Sequence, residues 1–283
     1  MAINYKNADE LRKNSWSYPT GGYQITNFTY FCYEGTRLDE LDKVDTSKGT
    51  IFDRMFFGSA DITGDEIPII DTSNGISFRR MFGDCESLVI PPYFDTSKNK
   101  NFREMFKYCP SLTSIPEYVT SNGETFREMF NGCTKLVSIP EIDTSKSKDF
   151  QNMFKDCSAL VSVPRLDLVN TETTDYLTGM FDGCKKLTNM RLYNITKSIT
   201  IGTDTYGHLL DVDSIVHTIK ELHNTGTHRI LTMGSANLSK IANLYCKAIN
   251  NSTVKIDMEL CDSSDPGAMT LAEYAALKEW TFA

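Results

Sequence analysis

Eight cysteines and four histidines are the residues here best suited to bind a metal or act as nucleophiles, and their spacing supports neither role. The cysteines are Cys32, Cys85, Cys109, Cys133, Cys157, Cys184, Cys246 and Cys261. None forms a C-x-x-C pair or a zinc-finger spacing. His208, His217, His223 and His228 fall within one stretch. On a helix, His217 and His223 would sit too far around the axis to share an ion. Carboxylate pairs such as Asp65-Glu66 lie in loops with no predicted cleft around them, and a catalytic site needs groups that converge in a pocket. Glycine-rich phosphate loops, H-E-x-x-H and G-x-S-x-G are missing. The expectation is a protein that is not an enzyme and uses no cofactor or metal.

Composition narrows the partners. Apolar residues make up 40% and charged residues 23% of the 283, which describes a folded chain. The net charge of -8 comes with lysines scattered among carboxylates, whereas a nucleic-acid surface needs them clustered. No run approaches the roughly 18–20 apolar residues of a membrane span. Nucleic acid and membrane insertion are therefore not expected.

Five of the cysteines belong to a repeat. Phe102-Arg-Glu-Met105-Phe106-Lys-Tyr-Cys109-Pro-Ser-Leu112-Thr-Ser-Ile115-Pro116 returns at Phe126–Pro140 and Phe150–Pro164. Met81, Met105, Met129 and Met153 keep a step of 24, as do Cys85, Cys109, Cys133 and Cys157; Cys184 follows after an irregular step. Phe150, Met153, Phe154 and Cys157, at i, i+3, i+4 and i+7, predict one apolar face of a short helix or helical turn. Val161 to Pro164 predicts a short strand that the proline closes. Asp-Thr-Ser at 45, 71, 95 and 143 predicts turns capped by side-chain oxygens.

One such unit cannot bury its own apolar stripe, so the units must stack. Equivalent residues would then form ladders about 4.8 Å apart. The expected buried ladders are Phe102, Phe126 and Phe150, the methionines, and the cysteines as small packed side chains. Beside the buried strand positions lie Ser114, Ser138 and Ser162, and after the prolines Glu117, Glu141 and Arg165. These polar rows are the candidate binding surface for a glycan or protein.

The Met-Phe-x-x-Cys-x-x-Leu-x-x-Ile-Pro-x-x-Asp-Thr-Ser unit resembles the BspA-like leucine-rich repeats over residues about 30–192. The ending Lys278-Glu-Trp280-Thr-Phe-Ala283 resembles the usual terminus of those proteins, with Glu279 departing from the customary glycine. The resemblance implies an α/β solenoid of leucine-rich-repeat coils, each a short strand plus a short helix. It also implies occurrence in phage tail proteins and bacterial adhesins.

The domain reading is a cap or attachment arm at 1–29, repeats at 30–192 and an α/β capping region at 193–283. In the last, Asp213 is expected to cap a helix, Ile230–Met233 to form a strand, Leu238–Ala248 a helix, Val254–Leu260 a strand, and Thr270 to cap a final helix. Met1 to Lys6 shows no export signal. The functional expectation is accordingly a bacteriophage virion component, on the tail or another exposed position, that takes part in host-surface recognition. A bacterial surface adhesin and a purely structural virion protein are the alternatives. Its partners would be other virion proteins or an envelope glycan or protein, and solenoid edges also permit a homo-oligomer.

Overall fold

The computed structural model describes residues 25–197, 199–201, 210, 211, 214 and 218, and four later strands. From Thr26 onward, units of about 24 residues bond in parallel to one another. The residue before the first phenylalanine of each unit bridges to its counterpart, from Asn27 to Ile51 and on through Ser77, Asn101 and Thr125 to Asp149. The stack thus reaches into the segment expected to cap or anchor it.

Alternate N–H groups leave the unit at each step. Those of Phe78, Arg80, Phe82 and Asp84 donate to the carbonyls of Asn101, Arg103, Met105 and Lys107 at 2.8–3.2 Å. The N–H groups between them, on Met81, Gly83 and Cys85, close tight turns on Phe78, Arg80 and Phe82. The short helix expected here is therefore a run of overlapping turns, and no α-helix occurs among the described repeat residues. A helix would direct every N–H four residues back within its own segment. Here half of them are committed to the neighbouring unit instead.

The turns need left-handed backbone at two places per unit, four residues apart. Arg80 and Asp84 have φ of 54° and 59°; Glu104 and Tyr108, Glu128 and Gly132, and Asn152 and Asp156 repeat the pair. A positive φ at the third position of a turn normally selects glycine. A side chain there costs about 1–2 kcal/mol and persists only where its surroundings over-determine it. The inter-unit bonds supply that constraint, and ion pairs add to it. Glu104, almost wholly buried, meets Arg79, Arg80 and Arg103 at 2.8–3.8 Å, and Glu128 meets Lys107 and Arg127.

Inside the turns the apolar side chains stack in register. Phe56, Phe82, Phe106, Phe130, Phe154 and Phe181 form a continuous column with ring centroids 5.0–5.8 Å apart and planes within 10° of parallel. A second column holds Phe28 on Phe52 on Phe78, and Phe102 on Phe126 on Phe150. Met81, Met105, Met129 and Met153 are fully buried in the same core.

On the other side of each unit the chain is extended, but a regular strand forms only late. β1 (Ser162–Asp167) pairs in parallel with β2 (Asn189–Tyr193). Pro164 does not close β1 as expected. It lies inside the strand, where the register shifts between Ser162 and Arg165, the kind of place a residue without an N–H can occupy. In earlier units single bonds suffice, such as Thr113 N–H to the Val89 carbonyl.

Past the repeats, β3 (Ile199–Ile201) pairs in parallel with β4 (Leu231–Met233), within the stretch expected as a strand. The helix-capping bond comes from Asp211, whose Oδ1 accepts the Ser214 N–H at 2.6 Å; Asp213 lies outside the described residues. Tyr245 and Ala248, expected on a helix, belong to β5 (Tyr245–Ile249), which pairs with β6 (Lys255–Asp257) and β7 (Met269–Thr270). Thr270 is thus a strand residue rather than a cap. Three-residue spacing over so short a run fits either element, and ladder partners decided it. The four histidines, Cys246's side chain, Cys261 and the final helix expected after Thr270 lie outside the described residues.

Two substitutions test this architecture. Phe130→Ala opens a column between rings 5.8 and 5.5 Å away, and should cost about 3–5 kcal/mol in urea unfolding; a loss under about 1 kcal/mol would place the ring outside the core. Asp156→Gly puts glycine where the preceding unit has Gly132 at φ 82°. It should stabilise by up to about 1 kcal/mol, the relieved backbone strain less glycine's extra unfolded entropy. A net destabilisation would show that the Asp156 side chain matters more than its backbone.

Candidate functional site

In four units the corner begins with Asp-Thr-Ser, at 45, 71, 95 and 143, and each residue has one task. The aspartate bends the chain onto itself: Asp143 Oδ1 accepts the Ser145 N–H at 2.9 Å and its hydroxyl at 2.7 Å. Asp45, Asp71 and Asp95 take the same backbone bond at 2.9 Å. The threonine turns inward and ties its unit to the next. Buried Thr144 Oγ1 accepts the Asp167 N–H at 2.7 Å and donates to the Asp167 carbonyl at 3.0 Å. Bonds from the serine hydroxyl and N–H hold all four carboxyls below the usual aspartate range.

Next to that corner runs the row that follows the prolines: Ile69, Tyr93, Glu117, Glu141 and Arg165. All five are exposed, Ile69 fully and Tyr93 at 60%. Across the β1–β2 pairing the row continues to Arg191, the register partner of Arg165. Between corner and row the surface sinks into an open depression of about 460 Å³ lined by Glu141, Ile142, Asp143, Thr144, Ser145, Arg165 and Asp167. The Arg165 guanidinium lies over the Tyr193 ring, 4.1 Å from its centre. Asn194 Nδ2 donates to both oxygens of Asp167 at 2.9 Å.

Of the six candidate residues, the structure brings Glu141 and Arg165 into this depression. Glu117 is one rung away on the same row. Ser114 and Ser162 are half-buried and Ser138 exposed, on the far side of the buried Ile115, Val163 and Ile139 respectively. Sequence reasoning missed Tyr193, Asp167 and Asn194. Counting back from the buried Leu192 to the equivalent Leu166 would have found them, had the one-residue slip at Pro164 been visible.

The cysteines form an interior ladder rather than a site. The thiols of Cys85, Cys109, Cys133, Cys157 and Cys184 donate to the carbonyls of Phe56, Phe82, Phe106, Phe130 and Phe154 in the preceding unit, at 2.9–3.1 Å. Where the cysteine is replaced, Ser59 makes the equivalent bond to the Cys32 carbonyl at 3.0 Å. Burial pushes the Cys133 thiol up to about 12. Such a thiol stays protonated at neutral pH and keeps donating to the carbonyl of the preceding unit.

With this geometry in hand, the comparison with known families is specific. A family model described as a Mycoplasma protein of unknown function, DUF285, matches residues 24–140 and again 113–206. The chain belongs to that family. No curated protein and no solved structure matches it. Together the two DUF285 matches run from residue 24 to residue 206 and cover the whole of the stack and its exposed row.

The depressed corner carboxyls predict acid sensitivity. A carboxyl whose folded pKa is lowered stabilises fully above its unfolded value of about 3.9, and that stability is lost as pH falls through the folded value. Asp143→Asn should therefore lower Tm at neutral pH, with a smaller deficit at an acidic pH well below about 3.9. An equal deficit at both pH values would show that the charge of Asp143 contributes nothing.

Proposed function

We propose that residues 26–193 form a BspA-like leucine-rich-repeat solenoid acting as a non-catalytic recognition module, which binds an envelope partner through the Tyr93–Arg165 row. One observation carries the reading. On two other rows of the stack, exposed charges are arranged to suit their neighbours. Lys98 bonds to Asn74 and Lys146 to Asn122, each at 2.7 Å, and Lys100–Glu124 and Lys148–Glu172 pair at 3.0 and 2.8 Å. The row after the prolines breaks that rule. Ile69 and Tyr93 stand exposed, Glu141 follows Glu117 by one rung, and Arg165 faces Arg191 in register. Like charges one strand apart destabilise a sheet, so this row is arranged for something other than the stack.

The regular spacing suits an elongated partner lying along the stack, as concave repeat surfaces generally do. Such a module serves equally on a bacteriophage particle facing its host or on a bacterial surface. Changing Glu117, Glu141 and Arg165 together should weaken binding of purified protein to bacterial envelope preparations while Tm stays put, since exposed substitutions usually shift stability by under about 0.5 kcal/mol. Binding that survives the triple change would remove this row from the function. Wild-type protein that binds no envelope yet copurifies stoichiometrically with virion proteins would favour a structural role in the particle.

A further inference from the structure

The depression holds charged groups in two different conditions. Asp143 and Asp167 already accept hydrogen bonds, from Ser145 and from Val169 and Asn194. Glu141 and Arg165 do not share that condition: among the described residues no hydrogen bond or ion pair engages either side-chain head, and they form no ion pair with each other. Arg165 is nonetheless held, since its guanidinium lies against the Tyr193 ring. Stacking occupies the face of the guanidinium and leaves its N–H edge directed away from the ring.

We infer that Glu141 and Arg165 form a subsite for a neutral sugar, which they grip through adjacent hydroxyl groups. A hydroxyl both donates and accepts. A pair of neighbouring hydroxyls can donate to the Glu141 carboxylate and accept from the Arg165 edge at once, satisfying both without neutralising either. Ser145 on the wall, its hydroxyl hydrogen given to Asp143, still offers its oxygen as an acceptor, and Ile142 adds an apolar edge. An anionic ligand fits less well. Three carboxylates, Glu141, Asp143 and Asp167, line the depression against one cation, so a uronate or phosphate would meet net repulsion. A cationic peptide side chain would be drawn by the carboxylates but, having no acceptor, would leave the Arg165 edge unsatisfied. The volume of about 460 Å³ lies in the range of small-ligand sites.

This subsite deepens the recognition reading of the row and rests on it, so the experiment separates the two. The full chain is tested on immobilised oligosaccharides of matched length, one set neutral and one carrying uronate or phosphate, and in parallel on bacterial envelope preparations. Neutral oligosaccharides should bind, with little dependence on salt. Glu141→Gln and Arg165→Met should each weaken that binding about tenfold or more, the loss of a charge-assisted hydrogen bond. Lys100→Gln, on a different row of the stack, should leave it unchanged. Tm should be unaltered throughout. Preference for the charged set, reduced by Arg165→Met alone, would overturn the neutral-sugar assignment. Neutral binding indifferent to both variants would move the sugar elsewhere. Envelope binding without binding to any sugar sinks this subsite and leaves the recognition module standing; binding to nothing sinks both.

Discussion

Every feature of the repeat stack depends on where the backbone N–H groups go. Within each Phe-x-x-Met-Phe-x-x-Cys segment, every second N–H finds its carbonyl on the next unit. A unit alone would leave those groups to water and its phenylalanines exposed. Neighbouring units therefore supply hydrogen-bond satisfaction and apolar burial together, which makes the array cooperative from unit to unit. The strained left-handed residues are tolerated for the same reason. Arg80 and Glu104 cannot relax without giving up N–H bonds of 2.9 and 2.8 Å to their neighbours.

Strict register has a consequence for side chains. Like is placed upon like at every position, one backbone spacing apart. Phenylalanine profits, because nearly parallel rings stack into an unbroken column. Cysteine fits its place because a small thiol can donate to the carbonyl of the unit before while filling apolar space, and serine at position 59 shows that the donor is what the place requires. Charge suffers from the same arrangement. Two exposed rows answer it by alternation, Lys48, Asn74, Lys98, Asn122, Lys146 and Asn170 along one and Lys100, Glu124, Lys148 and Glu172 along the other, while the corner carboxylates Asp45, Asp71 and Asp95 are held by bonds from their own serines. Against that background, the Glu117–Glu141 and Arg165–Arg191 neighbours stand out.

Much of this was legible in the residues. The step of 24, the buried Phe, Met and Cys columns and the Asp-Thr-Ser corners follow from spacing and side-chain chemistry, and the structure places those residues where that chemistry directs. Glu141 and Arg165 were singled out by their place after a proline. What could not be read was the turn in place of the helix. Apolar residues at i, i+3, i+4 and i+7 face inward in both, so the pattern is silent on the backbone between them. In the strands beyond residue 230, too, a few apolar residues at mixed spacing left helix and strand undecided.

By itself, then, the sequence determined which residues are buried and in what order the units follow, because burial depends on side-chain type and period alone. Tertiary structure decided the backbone conformation of the turns, the bulge at Pro164, and the meeting of Glu141, Arg165 and Tyr193. Tyr193 lies 28 positions from Arg165, off the regular step, and only the β1–β2 register with its one-residue slip brings the ring under the guanidinium. The physical reason is that hydrogen-bond partners 24 or more residues away choose the backbone path, and no local pattern records which of two inward-facing paths those partners will select.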